Sequence, residues 1–485
     1  MSSTKSWSLR PKPKDSSSRP SHHTSTGGFR NPWPSASSPS IISLLQSSFP
    51  LSVYPKLSQP HPSIHDIKVV TPDWGVSDLQ RRNLERENCI IATTLGHAGV
   101  ITELPLEGTR GKDGKRESFY VVFDPIFSSR AGPTSYTGPG RLRGKPCEVR
   151  DLPGCHAICI SHNHYDHLDL PTIQALFTRF PKAKYFVPLG NKTWFLALGI
   201  AEEDVVELDW WEEKDCSVRD LGFSLVSEPE SGSEDPDLDQ DQESEGQRKR
   251  EREGERETRV RFTCIPAQHN SGRSGLDQGQ TLWCGWMVEQ LLIPASPSSS
   301  SSSSAPQPSN TPKIQVKGTI YHAGDTGYRP SSSSTITCPI FPQINQLHGP
   351  LDIAYLPIWR GGSLGFISTM GLRLSHKDIP STFHGSPADA IEIHREVGSR
   401  FSVGIHFGTF VGSENESLEA VLEFEDARSK AGLGRLSDVV KEDEKIGGEE
   451  ERLKGRAGVL DIGGSIAVEI KARDANVDIG AEKES

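Results

Sequence analysis

Short apolar runs, alternating or continuous, recur along the chain between clusters of Gly, Pro, Asn, Asp and Ser. They predict strands near Cys89–Ala92, Ser118–Phe123, Ala157–Ile160, Tyr185–Val187, Val260–Ile265, Thr281–Val288, Thr319–Tyr321, Ile353–Leu356 and Ser402–Ile405. Residues 171–180 and 387–397 read as helices; at the second, Ser386 can cap the free N–H groups of the first turn, and Pro387 has the backbone angle that the first helical position needs. A late alternating run, Gly458 to Ile470, reads as an edge strand of the same fold. Periodicity alone yields mixed α and β, with strand-rich halves separated by helices.

Three polar segments break this pattern. Between Glu228 and Glu257 stand 13 acidic and 5 basic residues, so this stretch carries −8 of the formal −11 of the 485-residue chain. With almost nothing apolar to bury, it cannot offset the entropy of ordering and is expected to be a disordered insert. Ala295 to Thr311, mostly serine and proline, reads as a second flexible insert, and Lys441 to Arg456 is a third polar stretch. Without the acidic insert the body is nearly neutral, and it shows none of the basic, aromatic-interleaved patches expected of a nucleic-acid binder.

The chemistry concentrates at strand ends. His162, His164, Asp166 and His167 follow the apolar run ending at Ile160; His269 follows Ile265; Asp325 follows Tyr321 in a glycine turn; His406 follows Ile405. Imidazole nitrogens and carboxylates are what zinc accepts, and seven such groups suffice for two metals and a bridging carboxylate. The pair His22 and His23 lacks this setting and reads as part of a solvated stretch. No Ser or Cys nucleophile with a nearby base is evident, which leaves water activated by metal as the nucleophile.

In chain order stand Phe29-Arg-Asn-Pro-Trp-Pro34, Thr94-Leu-Gly-His-Ala98, Phe123-Asp-Pro-Ile-Phe-Ser-Ser-Arg130, Cys159-Ile-Ser-His-Asn-His-Tyr-Asp-His-Leu-Asp169, His322-Ala-Gly-Asp-Thr-Gly-Tyr328 and Gly404-Ile-His-Phe-Gly-Thr-Phe410. On these motifs the chain resembles the metallo-β-lactamase superfamily and, within it, the N-acylphosphatidylethanolamine-hydrolysing phospholipase D family. The resemblance implies an α/β fold, an αββα sandwich with the site at one edge of the layered sheets. It also implies that His162, His164 and His269 hold one zinc, that Asp166, His167 and His406 hold a second, and that Asp325 bridges them. Tyr165 and His384 match positions that contact the phospholipid phosphate, and His384 is also a suitable proton donor to the leaving group. Catalytic roles thus fall on Asp166, Asp325 and His384. Zinc is preferred to iron because His164 stands where a harder carboxylate would favour iron. The implied reaction is phosphodiester hydrolysis, releasing an N-acylethanolamine and phosphatidic acid; the alternative is another hydrolase of this fold acting on a lactone, thioester or nucleic-acid phosphodiester. His97 is expected to support a ligand, and His376 and His394 to be structural.

This places a single hydrolase domain at residues 29–470, with a basic, Ser-rich, disordered stretch at 1–28 and a polar tail at 471–485. Residues 1–28 carry five basic residues against Asp15, compatible with a mitochondrial transit peptide, although Pro11, Pro13 and Pro20 spoil an amphipathic helix. Eight cysteines form no Cys-x-x-Cys pair and no secretory signal is evident, so reduced, buried thiols that do not ligate metal are expected in an intracellular protein. No apolar run approaches the roughly 18 residues of a membrane helix. The expected partners are a phospholipid and the surface of a membrane, with Ile41 to Tyr54 as the candidate interfacial segment; self-association into a homo-oligomer stays open.

Overall fold

The computed structural model describes residues 20–37, 51–53, 67–109, 111, 115–223, 256–274, 276–294, 314–359, 372–374, 382–410, 414–438, 455–470 and 472–474. One sheet runs, in spatial order, Ser465–Glu469, Cys89–Gly96, Gly99–Pro105, Ser118–Phe123, Ala157–Cys159, Lys184–Pro188 and Val205–Leu208, antiparallel as far as Ser118–Phe123 and parallel from there. The other runs Gly434–Arg435, Arg456–Gly458, Ser399–Ile405, Leu351–Pro357, Gln315–His322, Gly285–Pro294, Arg256–Ile265 and Glu213–Ser217, parallel up to Gln315–His322 and antiparallel beyond.

Side-chain alternation sorts the layers. In Ser118–Phe123, Phe119, Val121 and Phe123 join the core between the sheets while Val122 faces outward; in Gly285–Pro294, Trp286 and Val288 face inward and Met287 outward. Phe186 of one sheet stacks on Phe262 of the other at 3.6 Å between centroids, and Thr102 Oγ1 hydrogen-bonds Tyr355 OH at 2.7 Å. Each fully buried aromatic of this kind contributes roughly 1.5–3 kcal/mol. Helices Leu170–Arg179 and Lys192–Leu196 place Ile173, Leu176 and Phe195 on the outer face of the first sheet. Helices Ile340–His348, Pro387–Glu396 and Glu414–Lys430 place Phe341, Ile344, Ile391, Ile393 and Phe424 on that of the second. The architecture is therefore the αββα sandwich. Ser386 caps its helix as expected, accepting from the Asp389 N–H.

Several boundaries differ from the sequence-based ones. Arg256 and Glu257, assigned above to the acidic insert, pair with Pro294 and Ile293, because ladder hydrogen bonds continue where side chains are solvent-facing; residues 228–255 lie outside the described residues, as do 295–311, 1–19 and His376. The strand expected from Thr281 begins at Gly285, since Leu282 N–H and Cys284 N–H are engaged by Leu189 O and Ser161 O. Arg473 and Asp474 of the supposed tail pair with Val316 and Gln315. Residues 20–28, expected to be disordered, form a hairpin with His23 bridged to Phe29. Gly458–Ile470 does supply an edge strand, Ser465–Glu469. Residues 51–53 pair with 372–374; the rest of the 41–54 segment lies outside the described residues. No helix among the described residues is long and apolar enough to cross a membrane.

Candidate metal centre

Strands from both sheets end at one edge of the sandwich, and a ligand-type residue follows each end: Asp124 after Phe123, His162 after Ala157–Cys159, Asp325 after His322 and His406 after Ile405. This is where open sheets collect ligands, because the loops there can converge without interrupting the ladders. Asp124, His97 and His406 hold positive φ of +39°, +57° and +63°, and such conformations in non-glycine residues cost roughly 1–3 kcal/mol each. His406 N–H donates to His97 O at 3.0 Å, which ties two of the strained residues together. Ahead of Asp325, Gly324 has φ +58°, and a Cβ there would lie 2.6 Å from Ser161 Cβ and 2.7 Å from Cys284 O. Only glycine allows the two loops to approach this closely.

The side chains converge in overlapping groups. His162 Nε2, His164 Nδ1 and His269 Nε2 are separated by 2.8, 3.2 and 3.3 Å. For a tetrahedral zinc with ordinary Zn–N bonds, ligand atoms stand about 3.3 Å apart. Asp325 Oδ2 sits amid five imidazole nitrogens: 3.1 Å from His384 and His406, 3.2 Å from His167, 3.6 Å from His269 and 3.8 Å from His162, all through Nε2. Asp166 Oδ2 lies 2.9 Å from His97 Nε2 and 3.7 Å from Nε2 of both His167 and His406. His167 Nε2, His406 Nε2 and Asp325 Oδ1 are buried with no hydrogen-bond partner. Buried polar atoms are normally satisfied, so orphans aimed into one pocket fit a divalent cation.

Neighbouring groups fix which imidazole nitrogen is free. Asp124 accepts from Ser161 N–H at 2.7 Å, Ser161 Oγ–H at 2.6 Å and His167 Nδ1–H at 2.8 Å. With the Ser161 proton committed to Asp124, His162 Nδ1–H donates to Ser161 Oγ at 2.9 Å. His269 Nδ1–H donates to Phe383 O at 2.8 Å. Each arrangement turns Nε2 toward the cluster, as a lone pair on His162 and His269 and on His167 once its second proton is displaced, the usual device for orienting a ligating imidazole.

Burial pushes His162 and His269 well below the ordinary histidine range and lowers His164 too, so these three are neutral donors. Burial acts on His406 in the same direction, yet Asp325 and Asp166 outweigh it and push it up to about 9; His167 rises likewise against its burial, under Asp325, Asp166 and Asp124. Burial would raise both Asp325 and Asp166, but the surrounding imidazoles hold them well below the carboxylate range. The group therefore holds anionic oxygens and protons that a cation would displace.

All seven residues singled out as ligands converge here, and His384 joins them: its Nε2 is in the same cluster as His269 and Asp325, with its ring 4.5 Å from that of Trp359. The Tyr165 ring lies 4.5 Å from the Arg273 guanidinium. His97 rests against Asp166, and its imidazole is lowered to about 4 by burial and by His406. His394 is remote, bonded to Ser402 Oγ. All eight cysteines are free, and none is in a ligand cluster among the described residues. Sequence reasoning missed Asp124, Ser161, Arg273 and Trp359 as parts of the site. Asp124 and Ser161 carried a signal, their places in the Phe123–Arg130 and Cys159–Asp169 motifs.

A family model described as the beta-lactamase superfamily domain matches residues 120–407. The chain belongs to this superfamily. As a member of the beta-lactamase superfamily it is expected to bind divalent metal, and the His/Asp groups just described are where this chain can do so. It is similar to an N-acyl-phosphatidylethanolamine-hydrolyzing phospholipase D 1 of Caenorhabditis elegans, 29% identical over 75% of this chain and 77% of that protein. It is also similar to an uncharacterized Mycobacterium tuberculosis protein, 28% identical over 65% of this chain, and to a mitochondrial N-acyl-phosphatidylethanolamine-hydrolyzing phospholipase D of Saccharomyces cerevisiae, 24% identical over 62%. The matched regions span 58% and 46% of those two proteins. Among solved structures, the metallo hydrolase Igni18 of Ignicoccus hospitalis covers 79% of this chain at 14% identity, with a TM-score of 0.37.

Proposed function

We propose that this metallo-hydrolase is a phospholipase D that hydrolyses N-acylphosphatidylethanolamine to an N-acylethanolamine and phosphatidic acid with two zinc ions. The observation that carries this reading is the placement of Asp325 Oδ2 amid five imidazole nitrogens, with Asp166 beside it, which is a donor set for two cations sharing a carboxylate. The printed names of the Caenorhabditis and Saccharomyces relatives support the substrate class.

In this reading His162, His164 and His269 hold one ion, Asp166, His167 and His406 the other, and Asp325 both. The bound ions supply water activation near neutral pH and neutralise the phosphodiester charge. The protein's own groups do the rest. Asp124 and Ser161 orient His167 and His162. His384 is partly exposed, with 22% of its side chain accessible, and its Nε2 is in reach of a phosphate bound over Asp325, where it can bind the phosphate oxygens and protonate the departing alcohol. Tyr165, which follows His164 in the ligand cluster and has the Arg273 guanidinium 4.5 Å from its ring, is the second residue we assign to the phosphate. The substrate enters from a lipid surface. The mitochondrial naming of the yeast relative and the basic start of this chain favour that organelle. Incubation of the zinc-loaded chain with labelled N-acylphosphatidylethanolamine should release both products in equal amounts; hydrolysis of a lactone or thioester with no product from this lipid would defeat the assignment.

A further inference from the structure

Far from the main cluster in sequence, three ligand-type side chains meet that the proposed function does not use. We propose that His22, His23 and Asp209 form a separate divalent-cation site that pins the N-terminal hairpin to the sandwich. His22 Nε2 lies 2.7 Å from Asp209 Oδ1 and His23 Nε2 2.8 Å from Asp209 Oδ2, and the three ligand atoms fall within 4.8 Å of one another. Two imidazoles and a carboxylate suit zinc and its first-row neighbours. The side chains are 9%, 24% and 17% exposed, so the group is mostly shielded yet keeps the solvent access that water needs to complete the coordination.

The surroundings hold these groups in place before any ion arrives. The hairpin is closed by Thr24 N–H to Gly28 O at 2.8 Å and Arg30 N–H to His22 O at 2.8 Å, and it is attached to the body through Phe29 N–H to Gly279 O at 2.7 Å. His22 stacks on Trp210 at 4.3 Å, and Trp33 stacks on the same indole at 5.2 Å. Asp209 follows the strand Val205–Leu208. Burial would raise its carboxyl, but hydrogen bonds from His22 and the Trp210 N–H hold it below the usual range, so it is an anion. Neighbouring residues 22 and 23 thus both turn Nε2 onto one fixed charge.

The site has a structural consequence for the main centre. A few residues beyond the hairpin, Asn31 Nδ2–H donates to His269 O at 2.7 Å, and Asn31 Oδ1 accepts the His269 N–H at 3.2 Å. Ser35 Oγ–H donates to Gln268 Oε1 at 2.6 Å. The hairpin therefore braces the loop that carries His269, and a cation at its root fixes the brace.

Two measurements on the full chain test this, and neither depends on the substrate. Metal per chain, by mass spectrometry of zinc-loaded and desalted protein, should fall by one ion in the His22→Ala/His23→Ala variant relative to the parent; equal counts in two folded proteins would overturn the site. Should the variant fail to fold, anomalous diffraction at the zinc edge from the parent protein decides. A peak about 2.0–2.2 Å from both Nε2 atoms and an Asp209 oxygen is expected. A map with peaks at the His162–Asp325 cluster and none at Asp209 would show a hydrogen-bonded clasp without an ion.

Discussion

His167 donates its Nδ1–H to Asp124 Oδ2 at 2.8 Å, with both side chains fully buried. The same carboxylate accepts from the Ser161 N–H and Oγ–H, so each of its oxygens faces a donor. An amide in its place would turn its NH2 toward one of those donors. Asp124→Asn is therefore expected to weaken metal binding about 10- to 100-fold while the chain stays folded. Chelator competition, run beside thermal denaturation, measures this; unchanged affinity would show that His167 needs no orienting partner.

Asp325→Asn removes the charge that five imidazoles surround. Metal content should drop and turnover should fall by at least about 10²-fold, the scale of losing one electrostatic stabiliser. A variant with full metal content and parental activity would mean that the bridge lies elsewhere.

Much of this site can be read along the chain because each ligand terminates an apolar run, a local pattern that needs no tertiary knowledge. What escaped depends on distant partners. Asp124 looks like a turn residue before Pro125, and its role appears only when His167 is folded against it. The strand Gly99–Pro105 was hidden because Thr102 and Glu103 are buried polar residues, satisfied by Tyr355 OH and by Ser118 and Arg86. The helix Glu414–Lys430 is rich in charged residues along the sequence, and Ala420, Val421 and Phe424 are among its buried apolar residues. His22 and His23 gained meaning only through Asp209, about 186 residues away.

Metal uptake should be coupled to proton release. Burial alone would lower His406, but Asp325 and Asp166 push it up to about 9 in the metal-free chain, and His167 is raised as well. Below that pH a cation must displace these protons, so affinity should rise with pH up to at least about 9. Calorimetry at pH 7 in buffers of different ionisation enthalpy should register at least one proton released per chain loaded; buffer-independent heats would contradict the charge assignment.

His384→Ala separates lipid chemistry from metal holding. Its Nε2 approaches Asp325 Oδ2 to 3.1 Å, yet seven other ligands remain without it. The variant should keep the parental metal content and lose about 10²- to 10⁴-fold in phospholipid hydrolysis. Loss of an ion, with the residual rate per bound metal retained, would make His384 a ligand instead.

The acidic insert should be dispensable once its boundary is respected. Deleting 228–255, which spares the paired Arg256 and Glu257, should leave soluble, active protein because little apolar surface is removed. Insoluble protein on expression would assign that segment a structural role.

The central claim is hydrolysis at phosphorus. When zinc-loaded full-length protein acts on N-acylphosphatidylethanolamine in water enriched in oxygen-18, mass spectrometry should find the label in phosphatidic acid and none in the N-acylethanolamine. Label in the ethanolamide, or no release of either product by protein with its metals bound, would contradict the account.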